Sequence, residues 1–273
     1  MTPAALMRWD RVLALDHLTL LDVAPPDFVA LAAGAGFDAV GLRIAPATAA
    51  ESPWPMSPGS RMLAQTVQRC RDTGVAVLDT EVILLNAETD LAACEPVLET
   101  AARLNARYVT AIGDDPDLGR LSGRFGRLVA MAAPYGVRPV IEFMAYKTVS
   151  SLADALAIAA RSDGGGILLD ALHVQRCGAQ IAEIMTVEPG LLSYVQLCDA
   201  PLQPAGGDAA AEARTDRLLP GEGGLPLTAL LSAVPPATPV AIEAPRLSLR
   251  GDLTPAQFAA RARRSLDQVL GGL

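Results

Sequence analysis

Lysine is almost missing from this 273-residue sequence: Lys147 stands alone against 21 arginines, a bias that reads as codon usage before chemistry. No phosphate-binding Walker loop can be built, because Tyr146 rather than glycine precedes that lysine. Histidine is equally scarce. With only His17 and His173, the H-E-x-x-H zinc motif and multi-histidine metal clusters are excluded. The four cysteines, Cys70, Cys94, Cys177 and Cys198, are far apart and form no C-x-x-C pair, so they read as reduced thiols rather than a zinc knuckle or redox motif. There is no G-x-S-x-G nucleophile elbow. Nor is there a run of 18 apolar residues, and Arg8, Asp10, Arg11 and Asp16 interrupt the apolar N-terminal stretch, which argues against a leader peptide. Positive charge is in deficit, with a formal net charge of -8. That field repels nucleic-acid backbones and anionic membrane surfaces, so neither is an expected partner, and the expected location is the cytoplasm.

Aromatic residues make up 4% of the chain while hydrophobic residues make up 51%, so the core is expected to be built from Ala, Val, Leu and Ile. Such composition suits strands buried on both faces. Eight short aliphatic runs alternate with Ala/Leu-rich stretches: 12–18, 39–44, 75–83, 108–112, 139–143, 166–170, 194–197 and 239–243. Eight βα units fill the chain without a leftover domain, so the expectation is one α/β domain over residues 1–273, a (β/α)₈ TIM barrel. Local signals agree. Thr254-Pro255-Ala256-Gln257 is a capping-box pattern followed by Phe258, Ala262, Leu266 and Leu270 on one face. Ser151 with Asp154 opens a helix in the same way, and another follows Pro25-Pro26 and ends near Gly34. Gly34-x-Gly36-x-x-Ala39 has the letters of a dinucleotide fingerprint, but it leaves a helix and enters a strand, the reverse of what a pyrophosphate site needs. Two long loops, 51–60 and 200–224, fall on the side where barrel active sites form, and the Ala/Gly-rich stretch 205–213 is expected to be mobile.

The chemistry is signalled by strand ends. Val140-Ile141-Glu142, Leu168-Leu169-Asp170, Tyr194-Val195-Gln196 and Ala241-Ile242-Glu243 each close an apolar strand with an oxygen-bearing side chain. Alternation points all four inward at the C-terminal mouth of the barrel. Three carboxylates converging there repel one another, and a divalent cation is the simplest way to keep them ionised. The all-oxygen set Glu142, Asp170, Gln196 and Glu243 favours Mn²⁺ or Mg²⁺, with Co²⁺ and Zn²⁺ as further candidates.

These motifs resemble the xylose-isomerase-like barrel superfamily of sugar phosphate isomerases and epimerases, which also holds inosose and 3-dehydroshikimate dehydratases. The similarity spans nearly the whole chain. It rests on the four strand ends, on His173 in LLDALH, on Gln196 and Asp199 in VQLCDA, and on Arg217 and Glu222 in RLLPGEG. One departure is informative. Ketose epimerases of the family usually carry histidine where this chain has Gln196, whereas glutamine occurs in some dehydratases. The resemblance implies one metal ion on Glu142, Asp170, Gln196 and Glu243, and a small polyhydroxy carbonyl substrate that reacts through an enediolate. It also implies that Glu142 and Glu243 exchange a proton with the substrate, with His173 as an acid in the dehydratase variant. Family members are often dimers or tetramers, so a homo-oligomer is among the implied assemblies.

Arg217 is expected to bind a substrate carboxylate or phosphate, since barrel anion sites cluster after strands seven and eight. Asp199, His17, Glu81 and Trp54 are further candidates for substrate contact. Three of them have a plainer reading: Glu81 as the partner of an arginine such as Arg43, Trp54 as packing beneath its loop, and His17 as a structural histidine. Lys147 lies five residues beyond Glu142 and could reach substrate or solvent. Two further readings remain, a barrel that binds without turnover and a DNA-repair endonuclease; the latter uses several metals and many histidines, which this acidic chain lacks.

Overall fold

A computed structural model describes residues 11–48, 51–204, 206–249 and 251–273. Arg8 and Asp10, used above to argue against a leader peptide, lie outside the described residues, as does Ala205. Eight parallel strands close in sequence order: β1 Leu13–Asp16, β2 Ala39–Arg43, β3 Ala76–Leu85, β4 Tyr108–Gly113, β5 Arg138–Glu142, β6 Gly166–Asp170, β7 Leu192–Leu197 and β8 Val240–Ile242. The barrel is complete because β1 pairs with β8, Leu13 opposite Val240. Helices α1 Pro25–Ala35, α2 Arg61–Thr73, α3 Glu95–Arg103, α4 Leu118–Ala132 and α5 Leu152–Ala159 link the first strands. Then come α6 Ala171–Arg176, α7 Ile181–Ile184, α8 Ala209–Thr215, α9 Leu227–Ser232 and α10 Pro255–Leu270. Among the described residues no helix is long and apolar enough to cross a membrane.

Each strand sends one inward residue to a shared layer: Ala14, Ala39, Leu78, Tyr108, Val140, Leu168, Tyr194 and Ala241. Small residues on β1, β2 and β8 leave room for the Tyr108 and Tyr194 rings, stacked with centroids 5.3 Å apart. That layer plugs the barrel, so whatever points inward two residues later must sit at the C-terminal mouth. The outward residues, among them Leu15, Val40, Ile141, Leu169, Val195 and Ile242, join the larger core between barrel and helices.

Capping follows the local code. The Thr254 hydroxyl accepts from the Gln257 backbone N–H, and the Gln257 side chain accepts from the Thr254 N–H, so α10 starts where the capping box places it. Ser151 caps α5, and Gly36 ends α1 at φ +84°, a left-handed turn that glycine adopts without penalty. The stretch 205–213 is not featureless: α8 begins at Ala209, capped by the Asp208 carboxylate, which accepts from the Ala210 N–H.

β3 breaks the simple alternation. Its register slips against β2 between Val40 and Gly41, and against β4 between Glu81 and Ile83. Each bulge adds a residue and re-aims the side chains that follow. Leu78 therefore joins the inner layer while Asp79 and Glu81 also turn toward the axis.

Candidate active site and metal centre

The mouth of the barrel is a layer of acid. Asp16 ends β1, Glu142 ends β5, Asp170 ends β6, Glu243 follows β8, and β3 adds Asp79 and Glu81; all six are buried. Gly41 on β2 makes room for two of them. A Cβ there would lie 2.2 Å from Asp16 Oδ1 and 2.5 Å from Asp79 Oδ1, so only glycine leaves both carboxylates where they are.

Two arginines balance part of this charge. Arg43 Nε donates to Glu81 at 2.9 Å, and its Nη1 reaches Glu51 at 3.2 Å. Arg217 Nη1 lies between Asp170 Oδ2 at 2.5 Å and Glu243 Oε2 at 2.9 Å, itself only 2% exposed. Burial pushes the Asp170 carboxyl up, but Arg217 and the His173 backbone N–H outweigh it and hold Asp170 below its ordinary value. The others go the opposite way. Burial raises Glu142 well above the carboxylate range, with Asp170 and Glu243 adding repulsion. Burial likewise raises Asp16 and Asp79, and it carries Glu243 to about 8.

The four strand-end residues form two neighbouring groups. Glu142 and Asp170 lie with His173, one ligand atom from each within 4.8 Å of the others, and Glu243 lies on the same terms with Asp16 and Glu81. Gln196 belongs with the second group, its amide donating to Asp16 Oδ2 at 2.8 Å and Glu81 Oε1 at 3.3 Å. Arg217 is the link between them.

The residues fit a divalent cation. Like charges about 4.8 Å apart repel by about 3.5 kcal/mol per pair at an effective dielectric of about 20. Asp16, Glu81 and Glu243 form three such pairs and Glu142 with Asp170 a fourth, which approaches the whole stability of a typical domain, about 5–15 kcal/mol, unless protons or a cation intervene. Donors stand ready: both ring nitrogens of His173, Gln196 Oε1 and Asp16 Oδ1 are buried without a hydrogen-bond partner. Burial lowers His173 to about 4, so its imidazole is neutral at pH 7, the form that binds metal. The buried group Glu142, Asp170 and His173 could therefore hold a metal ion.

Other candidates fall into place by contact. Glu81 lines the cleft and is the partner of Arg43. His17 has no nitrogen to spare: Nε2 bonds the Val23 carbonyl at 2.8 Å and Nδ1 accepts from the Arg43 N–H at 3.3 Å. Asp199 accepts the backbone N–H groups of Ala200, Gly221 and Leu225, which staples the loop after β7. Glu222 pairs with Arg246 and Arg261 on the surface. Trp54 donates to the Leu21 carbonyl at 3.1 Å and packs against the core from its loop. Lys147 lines the cleft but is paired with Asp114 at 2.6 Å. Sequence reasoning did not find Asp79, Gly41, Tyr146 or Arg214. A charge within the aliphatic run 75–83 is the one signal that could have marked Asp79.

The cleft above the acids is walled on one side by Val82, Leu84, Ile112 and Met144. Tyr146 stands edge-on to His173, ring centroids 5.6 Å apart, and His173 Nε2 is 3.9 Å from Glu142 Oε1.

Residues 29–266 match the family described as xylose isomerase-like TIM barrel. No curated protein matches the sequence. Among solved structures, a xylose isomerase-like TIM barrel/4-hydroxyphenylpyruvate dioxygenase fusion protein superposes with a TM-score of 0.80 at 20% identity. The match covers 95% of this chain but only 42% of the fusion protein. The IOLI protein with a bound zinc atom gives 0.79 at 20% identity, over 96% of this chain and 98% of its own. D-psicose 3-epimerase in the presence of D-fructose gives 0.74 at 16% identity, over 96% and 100%. At such identities the likeness is one of fold.

Proposed function

We propose that this chain, which belongs to the xylose isomerase-like TIM barrel family, is a divalent-metal-dependent isomerase or epimerase of a sugar, sugar phosphate or related polyhydroxy carbonyl compound. The observation that carries the reading is the excess of buried acid at the mouth, six carboxylates against Arg43 and Arg217, beside unpartnered buried donors. The zinc in the IOLI structure and the sugar in that of D-psicose 3-epimerase point the same way. Glu142, Asp170 and Glu243 would hold the ion, with His173 or Gln196 as the neutral donor. An imidazole in that set suits Mn²⁺, Co²⁺ or Zn²⁺ better than Mg²⁺. When bound, the ion polarises a substrate carbonyl and acidifies the adjoining C–H.

The chain's own groups then handle the proton. Glu142 and Glu243 come from β5 and from the end of β8, so they face a molecule in the cleft from different sides; one takes the proton to give the enediolate and the other returns it. The apolar wall and the long loop after β7 limit water around the exchanging proton.

A second reading, a metal-dependent dehydratase, is favoured by one observation: His173, its ring nitrogens unengaged and Nε2 3.9 Å from Glu142 Oε1, is placed to hydrogen-bond a departing hydroxyl through its neutral N–H and to relay to it the proton that the carboxylate takes from the substrate. Metal analysis of the purified protein, followed by a D₂O screen of keto-sugars, inososes and 3-dehydroshikimate, tests both. The isomerase incorporates deuterium and loses no water; the dehydratase produces an ultraviolet-absorbing enone or aromatic ring. Protein that takes up no Mn²⁺ and exchanges no substrate proton refutes the proposal in either form.

A further inference from the structure

Four cationic side chains line the cleft, and three are already spent on carboxylates: Arg43 on Glu81 and Glu51, Arg217 on Asp170 and Glu243, Lys147 on Asp114. Arg214 is different. Among the described residues it makes no ion pair, and its guanidinium lies over the Tyr146 ring, 5.5 Å from the centroid. Because Tyr146 stands edge-on to His173, a single ring separates Arg214 from the groups that would move the proton.

The placement is built by its neighbours in the chain. Glu212 takes two hydrogen bonds from Arg176, at 2.9 and 2.7 Å, and the Ala213 carbonyl accepts from Arg217 Nε at 2.6 Å. Helix α8 is thus tied to α6 on one side and to the acid layer on the other, and Arg214 is left facing the cleft. Along the wall formed by Val82, Leu84, Ile112 and Met144, a hydroxyl would give up water and gain no partner, so the carbons placed there should carry hydrogen rather than oxygen.

We propose that the substrate is an anion, a hydroxy-carbonyl compound whose carboxylate or phosphate is received by Arg214 and whose deoxygenated carbons lie on this apolar wall. The inference rests on the cleft being the reaction site proposed above, and it narrows that reading to its anionic members. A guanidinium is a planar fork of donors, and one held over a ring with no carboxylate partner suits a two-oxygen acceptor.

Calorimetric titration of Mn²⁺-loaded protein and of its Arg214→Gln variant tests this with four probes: 3-dehydroshikimate, its neutral methyl ester, D-fructose and D-fructose 6-phosphate. The parent protein should bind an anion at least tenfold more tightly than its neutral counterpart, and the variant should lose that preference while its affinity for the neutral probes is unchanged. Preference for the carboxylate over its ester assigns a carboxylate; preference for the phosphate over fructose assigns a phosphate; either supports Arg214 as the anchor. Equal binding of charged and neutral probes, a preference that survives in the variant, or no binding of either anion overturns it. An Arg214-dependent preference in a protein that exchanges no proton would count against the proposed reaction alone. Proton exchange on a neutral sugar, unaffected by Arg214→Gln, would count against the anion alone.

Discussion

Arg217 touches both acid groups of the site. Its Nη1 sits between two carboxylates expected to be metal ligands, so in the metal-free protein it serves as their counter-ion. Removing one member of a buried ion pair costs about 3–5 kcal/mol, because the partner is left charged and dry. Arg217→Met should therefore lower the melting temperature in EDTA by roughly 10 °C, using about 2–4 °C per kcal/mol for a chain of this size. Added Mn²⁺ should restore more stability to the variant than to the parent, since the ion takes over the charge that the guanidinium balanced. Thermal denaturation with and without the metal checks both parts; an unchanged melting point in EDTA would show that Asp170 and Glu243 do not depend on Arg217.

At the scale of elements, β1, β2 and β3 meet at a point where space rather than charge decides. The missing side chain of Gly41 admits Asp16 and Asp79 to the barrel axis, and the bulge beside it turns Asp79 inward. Gly41→Ala must displace both carboxylates in a close-packed interior, at about 1–3 kcal/mol. Urea denaturation should show that loss with the slope of the transition unchanged. Stability equal to the parent's would mean that the two carboxylates can move apart freely, which their burial argues against.

The whole molecule answers to pH through the balance of its buried groups. An unfolded glutamate titrates near 4.5, whereas burial raises Glu243 to about 8, so between those values the folded state holds a proton that the unfolded state has released. Stability of the metal-free protein then falls as pH rises, and burial moves Asp16, Asp79 and Glu142 in the same direction. The buried histidines act elsewhere. His17 and His173, lowered by burial to about 4 from 6.5, cost stability only as pH drops below 6.5, when the unfolded chain takes up protons that the fold refuses. Asp170, held below 3.8, adds a loss only at still lower pH. Between pH 6.5 and 8 the raised carboxylates act alone. The unfolding free energy in EDTA should decline across that window, and Mn²⁺ should flatten the decline because it binds the ionised forms. Denaturant titrations at the two pH values, with and without Mn²⁺, measure it; a metal-free protein that gains stability toward pH 8 would contradict the burial argument.

The eight aliphatic runs, the capping signals and the strand-end residues Glu142, Asp170, Gln196 and Glu243 were all legible in the sequence, because they depend on periodicities and contacts within a few residues. Alternation alone pointed those four side chains inward, and it put Val140, Leu168, Tyr194 and Ala241 on the same face beneath them, half of the layer that the barrel assembles. Which of them lie together in one group was not legible. That depends on Arg217 reaching back from the loop after β7, on two bulges that turn Asp79 and Glu81 toward the axis, and on α8 carrying Arg214 to the cleft. Spacing along a chain fixes which face a side chain takes. The partner it meets there is set by register and loop path, and those exist only once the barrel has closed.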